Sequence, residues 1–315
     1  MALFFKESAY FAARNAQLFD FTHSSSVALW NLRWQVQGFV AARPAATEDE
    51  LSGRFASGSG IRANNLRGTC IDTSWEDQLE QFAQIVSTSL IAMYEGWAEE
   101  IMPKFGSGLV KQVQFPSAGK YGQVSDGVGE ALVRARSNGM SNEIKKAFYP
   151  KYSAHRKFSL KNLDALLALY RYHKEIRNSF VHRAGIADAK AETAWRNAST
   201  LKHADIGGRS TPALSHIREG GPVKTSLYEA IQLSDVLLRI VHTVDAELCF
   251  TVVGEQAFLD DWRNNEGARA LRALPAGQSK KAEKIRKIVR RIGYMPPADT
   301  DAIYELGHRE GLVIY

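Results

Sequence analysis

The pattern of apolar residues along the chain predicts a protein built mainly from helices. Apolar side chains recur three and four positions apart over 74–102, 160–182 and 226–251, the spacing that gathers them on one helix face. We expect these three long helices to form the core of a bundle, which makes the predicted class all-α. Shorter helices are expected around them, with a possible short hairpin at 213–217 and a short strand at 312–315.

The chain divides into three predicted parts: an N-terminal helical segment (1–66) that packs on the core, the bundle itself (67–254) and a C-terminal helical region (255–315). Two helices are expected in 1–45, separated by the polar stretch 22–26. Trp30 and Trp34 on the second of them have a spacing more typical of a core face than of a binding surface.

The helix predicted at 160–182 ends in three polar residues with useful chemistry, Arg177, Asn178 and His182. Asn178 and His182 are four apart and share a face, whereas Arg177 lies about 140° around the helix from His182. Histidine can accept or donate a proton near neutral pH, and arginine binds phosphate oxygens through two N–H groups at once. These residue types suit cleavage of RNA by its own 2′-hydroxyl, a reaction that requires no metal ion.

The sequence Arg177-Asn178-x-x-x-His182 resembles the R-polar-x(3)-H signature of HEPN domains, an all-α family of ribonucleases and nucleic-acid-associated proteins. The resemblance covers this motif, its helix and the helices on either side. It implies a homodimer with two facing motifs and metal-independent cleavage of RNA, in which Arg177 holds the phosphate, His182 moves protons and Asn178 orients. The family includes toxins and anti-phage effectors, which implies an antitoxin or a defence-system component as a further partner. Ala184 stands where the nucleotidyltransferase-paired subgroup has Tyr, which argues against that subgroup.

Short motifs of this kind also arise by chance, and two further Arg-to-His spacings occur, Arg196 to His203 and Arg209 to His216. The first runs off the end of a shorter polar helix, and the second lies in a predicted loop. Three interpretations therefore stay open: an endoribonuclease, a catalytically inactive HEPN-like module that binds nucleic acid or a protein, and an unrelated helical interaction protein.

Three glutamates, Glu95, Glu99 and Glu100, lie near the end of the first long predicted helix. One of them could reach across the bundle and orient His182. A solvated acidic face is the more common arrangement for such a group, and it is what we expect here.

The net charge of +6 is concentrated in one segment. Seven cations and one glutamate in 280–291 account for the whole excess, and apolar residues on the opposite face predict a docked amphipathic helix. Its basic face suits either phosphate binding or simple solvation. The predicted nucleic-acid contacts are Lys157, Lys174, Arg183, Lys280, Lys281, Lys284, Lys287, Arg290 and Arg291.

Several classes of protein are disfavoured by the sequence. Cys70 and Cys249 have no metal-binding spacing and fit buried thiols in a reducing compartment. The chain has no zinc-ligand cluster, nucleotide-binding glycine fingerprint or nucleophile elbow, so we expect no metal and no cofactor. The N-terminus lacks a secretory signal, and the longest apolar run, 27–42, is too short and too polar for a bilayer. We therefore expect a cytoplasmic protein that does not enter a membrane.

Overall fold

A computed structural model describes residues 3–60, 65–106, 108–114, 127–267 and 271–314. The chain is all-α, with 71% helix and 3% strand. The helices are α1 (Lys6–Ala42), α2 (Glu48–Phe55), α3 (Trp75–Ile101), α4 (Leu109–Gln114), α5 (Val128–Ser137), α6 (Asn142–Ser153), α7 (Leu163–His182), α8 (Ala189–Ser199), α9 (Leu227–Leu248), α10 (Val252–Glu266), α11 (Gln278–Arg291) and α12 (Thr300–Arg309).

The helices α3, α7 and α9 pack against one another in the centre of the molecule, which confirms the predicted bundle core. Each of α3 and α9 begins at a serine whose hydroxyl accepts a hydrogen bond from the first turn, Ser74 from Asp77 N and Ser226 from Glu229 N. These caps satisfy backbone N–H groups that have no partner within the helix. The sequence therefore located both helix starts to within a residue.

The N-terminal segment differs from the prediction because α1 is one continuous helix rather than two. Within the polar stretch, Thr22 donates to Leu18 O and Ser26 donates to Thr22 O, so both hydroxyls bond to the helix's own preceding turn instead of breaking it. The first turns of α1 are anchored in the core, where Phe4 N and Phe5 N donate to the Asp245 carboxylate. Burial raises the pKa of Asp245 to about 7, although these hydrogen bonds oppose the shift.

The second half of α1 corrects the expectation for its tryptophans. Trp30 is 40% exposed and Trp34 is 59% exposed, so neither is a core residue. Their rings pack in a surface cluster in which the Trp30 centroid lies 5.6 Å from Trp34 and 5.0 Å from Trp75. The buried side of this half of α1 instead meets α2 and Cys70 in a small separate apolar cluster.

The C-terminal region shares the main core through buried residues of α10, α11 and α12. Strands Arg272–Ala273 (β1) and Val313–Ile314 (β2) pair in parallel, so the strand expected near the end of the chain is present. The hairpin expected at 213–217 is not formed, because Ser215 N and Oγ donate to the side chain of Glu229 rather than to a partner strand. None of the helices in the described part of the chain is long and apolar enough to cross a membrane.

Candidate functional site

The helix α7 ends at His182, and the backbone enters the left-handed region two residues later. Ala184 has φ 50° and Gly185 has φ 80°, and Gly185 N donates to Ser179 O at 3.0 Å. A glycine with positive φ just after a helix is a common C-terminal cap. It leaves His182 exposed at the end of the helix, and no described residue forms a hydrogen bond with its imidazole.

The guanidinium of Arg177 is held in place from two directions. Its Nη2 donates to Glu95 Oε2 on α3 at 3.1 Å, and its Nη1 donates to the neighbouring Asn178 Oδ1 at 3.2 Å. The side chain is 19% exposed. Its Nε is buried and has no hydrogen-bond partner among the described residues. Arg177 is therefore a fixed cation that still has an unused N–H group.

The same glutamate also binds Lys174, one turn earlier on α7. Lys174 Nζ lies 2.8 Å from Glu95 Oε1 and 2.7 Å from Gln114 O, and its side chain is only 3% exposed. Burial lowers the pKa of Lys174, and Glu95 opposes this shift. The prediction of Lys174 as a nucleic-acid contact is wrong in this structure, because its ammonium is buried in an ion pair.

Glu95 also departs from the expected solvated acidic face. It is partly buried between two cations of α7, and it contacts Arg177 rather than His182. A feature of the sequence could have predicted that a carboxylate pairs with these two cations. Lys174 and Arg177 are three apart on one face of a largely buried helix, and buried cations need a carboxylate partner.

The charge network extends along α7 beyond this glutamate. Asn178 Nδ2 donates to Glu175 Oε2 at 3.3 Å, and Glu175 Oε1 pairs with Arg171 Nε at 2.7 Å. Counting only the described residues, the network contains three cations and two carboxylates.

Replacing Glu95 should destabilise the fold, because it leaves the buried Lys174 without its counter-charge. We expect Glu95→Gln to lower the free energy of unfolding by about 3 kcal/mol. The double variant Glu95→Gln/Lys174→Met should recover most of this loss, since it removes the buried charge itself. Chemical denaturation would measure both effects, with the exposed Glu100→Gln on the same helix as the control. Equal stability of Glu95→Gln and the wild type would contradict the assigned ion pair.

Of the other predicted nucleic-acid contacts, Lys157 and Lys281 are partly buried and the rest are exposed. Lys157 pairs with Asp235, and Arg183 pairs with Asp188 just beyond the motif. On α11 the exposed cations are Lys280, Lys284, Arg286, Lys287, Arg290 and Arg291.

The basic helix α11 is not part of the cluster of Arg177, Lys174, Asn178 and Glu95, which is called the Arg177 cluster below. Lys281 lies 4.1 Å above the ring of Tyr304 on α12, and α11 packs on α12, which in turn packs on α6. The structure therefore brings Arg177 and Asn178 together with Glu95 but gives α11 a different position in the fold.

The two alternative Arg-to-His spacings form no comparable cluster. Arg196 pairs with Glu192 within its own helix, and His203 is exposed on a turn. His216 packs edge-on against Trp195, with ring centroids 4.3 Å apart. No group of three or more His, Cys, Asp or Glu side chains in the described ranges is arranged to hold a metal ion.

Comparison with known proteins returned no match. No protein-family model matches the chain, and no curated protein or solved structure is significantly similar to it.

Proposed function

We propose that the chain is a metal-independent endoribonuclease of the HEPN type. The 2′-oxygen of a ribose attacks the adjacent phosphorus, and the bond from phosphorus to the 5′-oxygen breaks. The products are a 2′,3′-cyclic phosphate and a 5′-hydroxyl. Arg177 contacts the phosphate, His182 accepts the 2′-proton or protonates the leaving oxygen, and Asn178 orients the guanidinium.

The observation that carries this proposal is that Arg177, at the start of the motif, is held by hydrogen bonds, whereas His182, at its end, is exposed. Glu95 and Asn178 fix Arg177 while its Nε stays unpaired, and His182 is exposed on the last turn of the same helix. A positioned cation and an accessible imidazole on the same helix can supply charge stabilisation and proton transfer. The rate of RNA cleavage by the wild type and by His182→Ala tests the proposal.

Helix geometry argues that two copies of the chain build each site. Arg177 and His182 lie about 140° apart around α7, so their side chains leave the helix on different sides and a second copy can supply the complementary residue. Val181 and Ile186, on either side of His182, are 52% and 44% exposed, and exposed apolar residues around a polar group are typical of an interface. We therefore include a homodimer through the end of α7 in the proposal.

The dimer makes a direct prediction for the protein in solution. Sedimentation equilibrium at micromolar concentration should give twice the chain mass of 35.0 kDa. Val181→Lys should shift the equilibrium to the monomer, because it places a charge in the apolar part of the interface. Lys190→Glu is a control, since this exposed residue lies on the following helix. A wild-type monomer would contradict the shared site.

The basic face of α11 is expected to contribute affinity rather than chemistry. Replacing Lys284, Lys287, Arg290 and Arg291 with Gln should weaken RNA binding and flatten its dependence on salt. Each lost phosphate contact should reduce the slope of log affinity against log salt by roughly 0.7 for single strands. Fluorescence anisotropy over a salt series would measure this. An unchanged slope would make the face a solvated surface only, and Lys202→Gln with Arg218→Gln provides an exposed control.

The HEPN family includes toxins and anti-phage effectors, and we include such a cellular role in the proposal. A ribonuclease of this kind would act on cellular or phage RNA, with an antitoxin or a defence-system component as its regulator. No bound cofactor is part of the proposed reaction.

A further inference from the structure

A cavity of about 230 Å³ lies on a different side of α7 from Glu95. It is open to solvent on one side and lies between α7, the connecting segment 206–212 and the first half of α9. The chain that continues from this segment towards α9 is bound to that helix, because Ser215 N and Oγ donate to the Glu229 carboxylate. The apolar part of the lining consists of Leu169, Ile206, Pro212, Ile231 and Val236.

The most unusual group in the lining is the guanidinium of Arg239. The residue is only 7% exposed, and its Nε and Nη2 donate to Ser159 Oγ at 2.9 and 2.8 Å. No carboxylate among the described residues forms an ion pair with it. Burial lowers the pKa of Arg239, with Asp235 opposing the shift. A buried cation that lacks a direct ion pair is costly, so an anion bound here would be stabilised.

Asp235 also lines the cavity, but its carboxylate is engaged elsewhere. It pairs with Lys157, which brings a further cation to the same side. Arg209 is exposed at the edge of the cavity on the connecting segment, and no described carboxylate pairs with it. The charged lining is therefore positive overall.

Two polar groups in the lining have hydrogen-bonding capacity that the protein does not use. His173 is 2% exposed, and no described residue forms a hydrogen bond with its ring. Burial lowers its pKa to about 4 although Glu229 opposes the shift, so the ring is neutral near pH 7 and offers one donor and one acceptor. The Oε1 of Gln232 is buried and also lacks a partner among the described residues. A buried polar atom without a partner, such as Gln232 Oε1, is rare in folded proteins and is consistent with a ligand that binds here.

The volume limits the size of the ligand. A cavity of about 150 Å³ is known to hold a benzene molecule, and sites for drug-sized ligands begin at about 300 Å³. We propose that this cavity binds a small organic oxyanion, a phosphate or carboxylate carried on a single ring. The anionic group binds Arg239 and Arg209, the ring packs on the apolar wall, and His173 and Gln232 bond to its polar edge. This site is independent of RNA cleavage.

Isothermal titration of the full-length protein tests the site with four probes: phenyl phosphate, benzoate, inorganic phosphate and the uncharged benzyl alcohol. At least one of the two ring oxyanions should bind with one site per chain, at least tenfold more tightly than benzyl alcohol and than inorganic phosphate. Comparing phenyl phosphate with benzoate identifies the preferred anionic group. If neither ring oxyanion saturates the protein at millimolar concentration, the proposal is overturned.

Three variants assign the binding to this cavity. Arg209→Gln, which changes only an exposed cation, should weaken binding of the tighter ring oxyanion at least fivefold, and Arg239→Met and His173→Phe should weaken it further. Arg218→Gln, an exposed cation on the same connection but outside the cavity lining, should leave the affinity unchanged. If Arg209→Gln binds as tightly as the wild type, the site is not here, even if the buried substitutions fail to fold. A loss of affinity in Arg218→Gln equal to that in Arg209→Gln would also contradict it.

Discussion

His182→Ala is expected to slow RNA cleavage by about 10²–10⁴-fold, the usual contribution of a general acid or base. The side chain is exposed and has no hydrogen bond to a described residue, so its removal should leave the fold unchanged. Single-turnover rates with end-labelled RNA would measure the effect, and an unchanged circular dichroism melting curve would show that the loss is chemical.

The chain itself provides matched controls for this substitution. His203 and His216 follow arginines at similar spacings, but neither belongs to the Arg177 cluster. His203→Ala should keep wild-type activity because the residue lies on an exposed turn, and it is the better control since His216 packs on Trp195. If His203→Ala and His182→Ala lose activity equally, the assignment to the end of α7 is wrong.

Arg177→Ala is expected to slow cleavage by about 10²–10³-fold, because the charge developing on the phosphate loses a positioned donor. Glu95 retains Lys174 as its partner, so the fold should persist. Arg177→Lys should recover little activity, since an ammonium cannot form the forked contacts of a guanidinium. Asn178→Ala should be milder because Asn178 only orients Arg177. A fully active Arg177→Ala protein would show that the ion pair with Glu95 is purely structural.

Mixing the two inactive variants tests whether the site is shared between copies. In a mixed dimer of Arg177→Ala and His182→Ala, one composite site contains both wild-type side chains and the other contains neither. After random exchange of subunits the mixture should regain roughly a quarter of wild-type activity, since half the dimers are mixed and each has one intact site. No recovery would contradict a site that takes Arg177 from one chain and His182 from its partner.

Local patterns were sufficient to predict most helices of this protein. The long apolar repeats of α3, α7 and α9 identify the bundle core, and Ser74 and Ser226 mark two helix starts. The error in α1 had a physical cause, because a run of Thr and Ser resembles a loop in composition. In the structure these hydroxyls bond to the preceding helical turn instead.

The candidate sites depend on contacts between distant parts of the chain, and the sequence predicted these less well. Arg177 and His182 belong to one local motif, so the sequence identified them. Glu95 lies on another helix, and only the packing of α3 on α7 brings it to Arg177. The cavity at Arg239 was not predicted at all, because α7, α9 and the segment 206–212 each contribute part of it.

Incubation of the wild type with labelled RNA, and with DNA of the same sequence, in the presence of EDTA is the most direct test of metal-independent RNA cleavage. The proposed chemistry uses the 2′-hydroxyl, so RNA should be cut to products with 2′,3′-cyclic phosphate ends while DNA stays intact. The same reaction should be lost in His182→Ala and retained in His203→Ala. Cleavage that disappears when EDTA is added, or that persists in His182→Ala, would contradict the account.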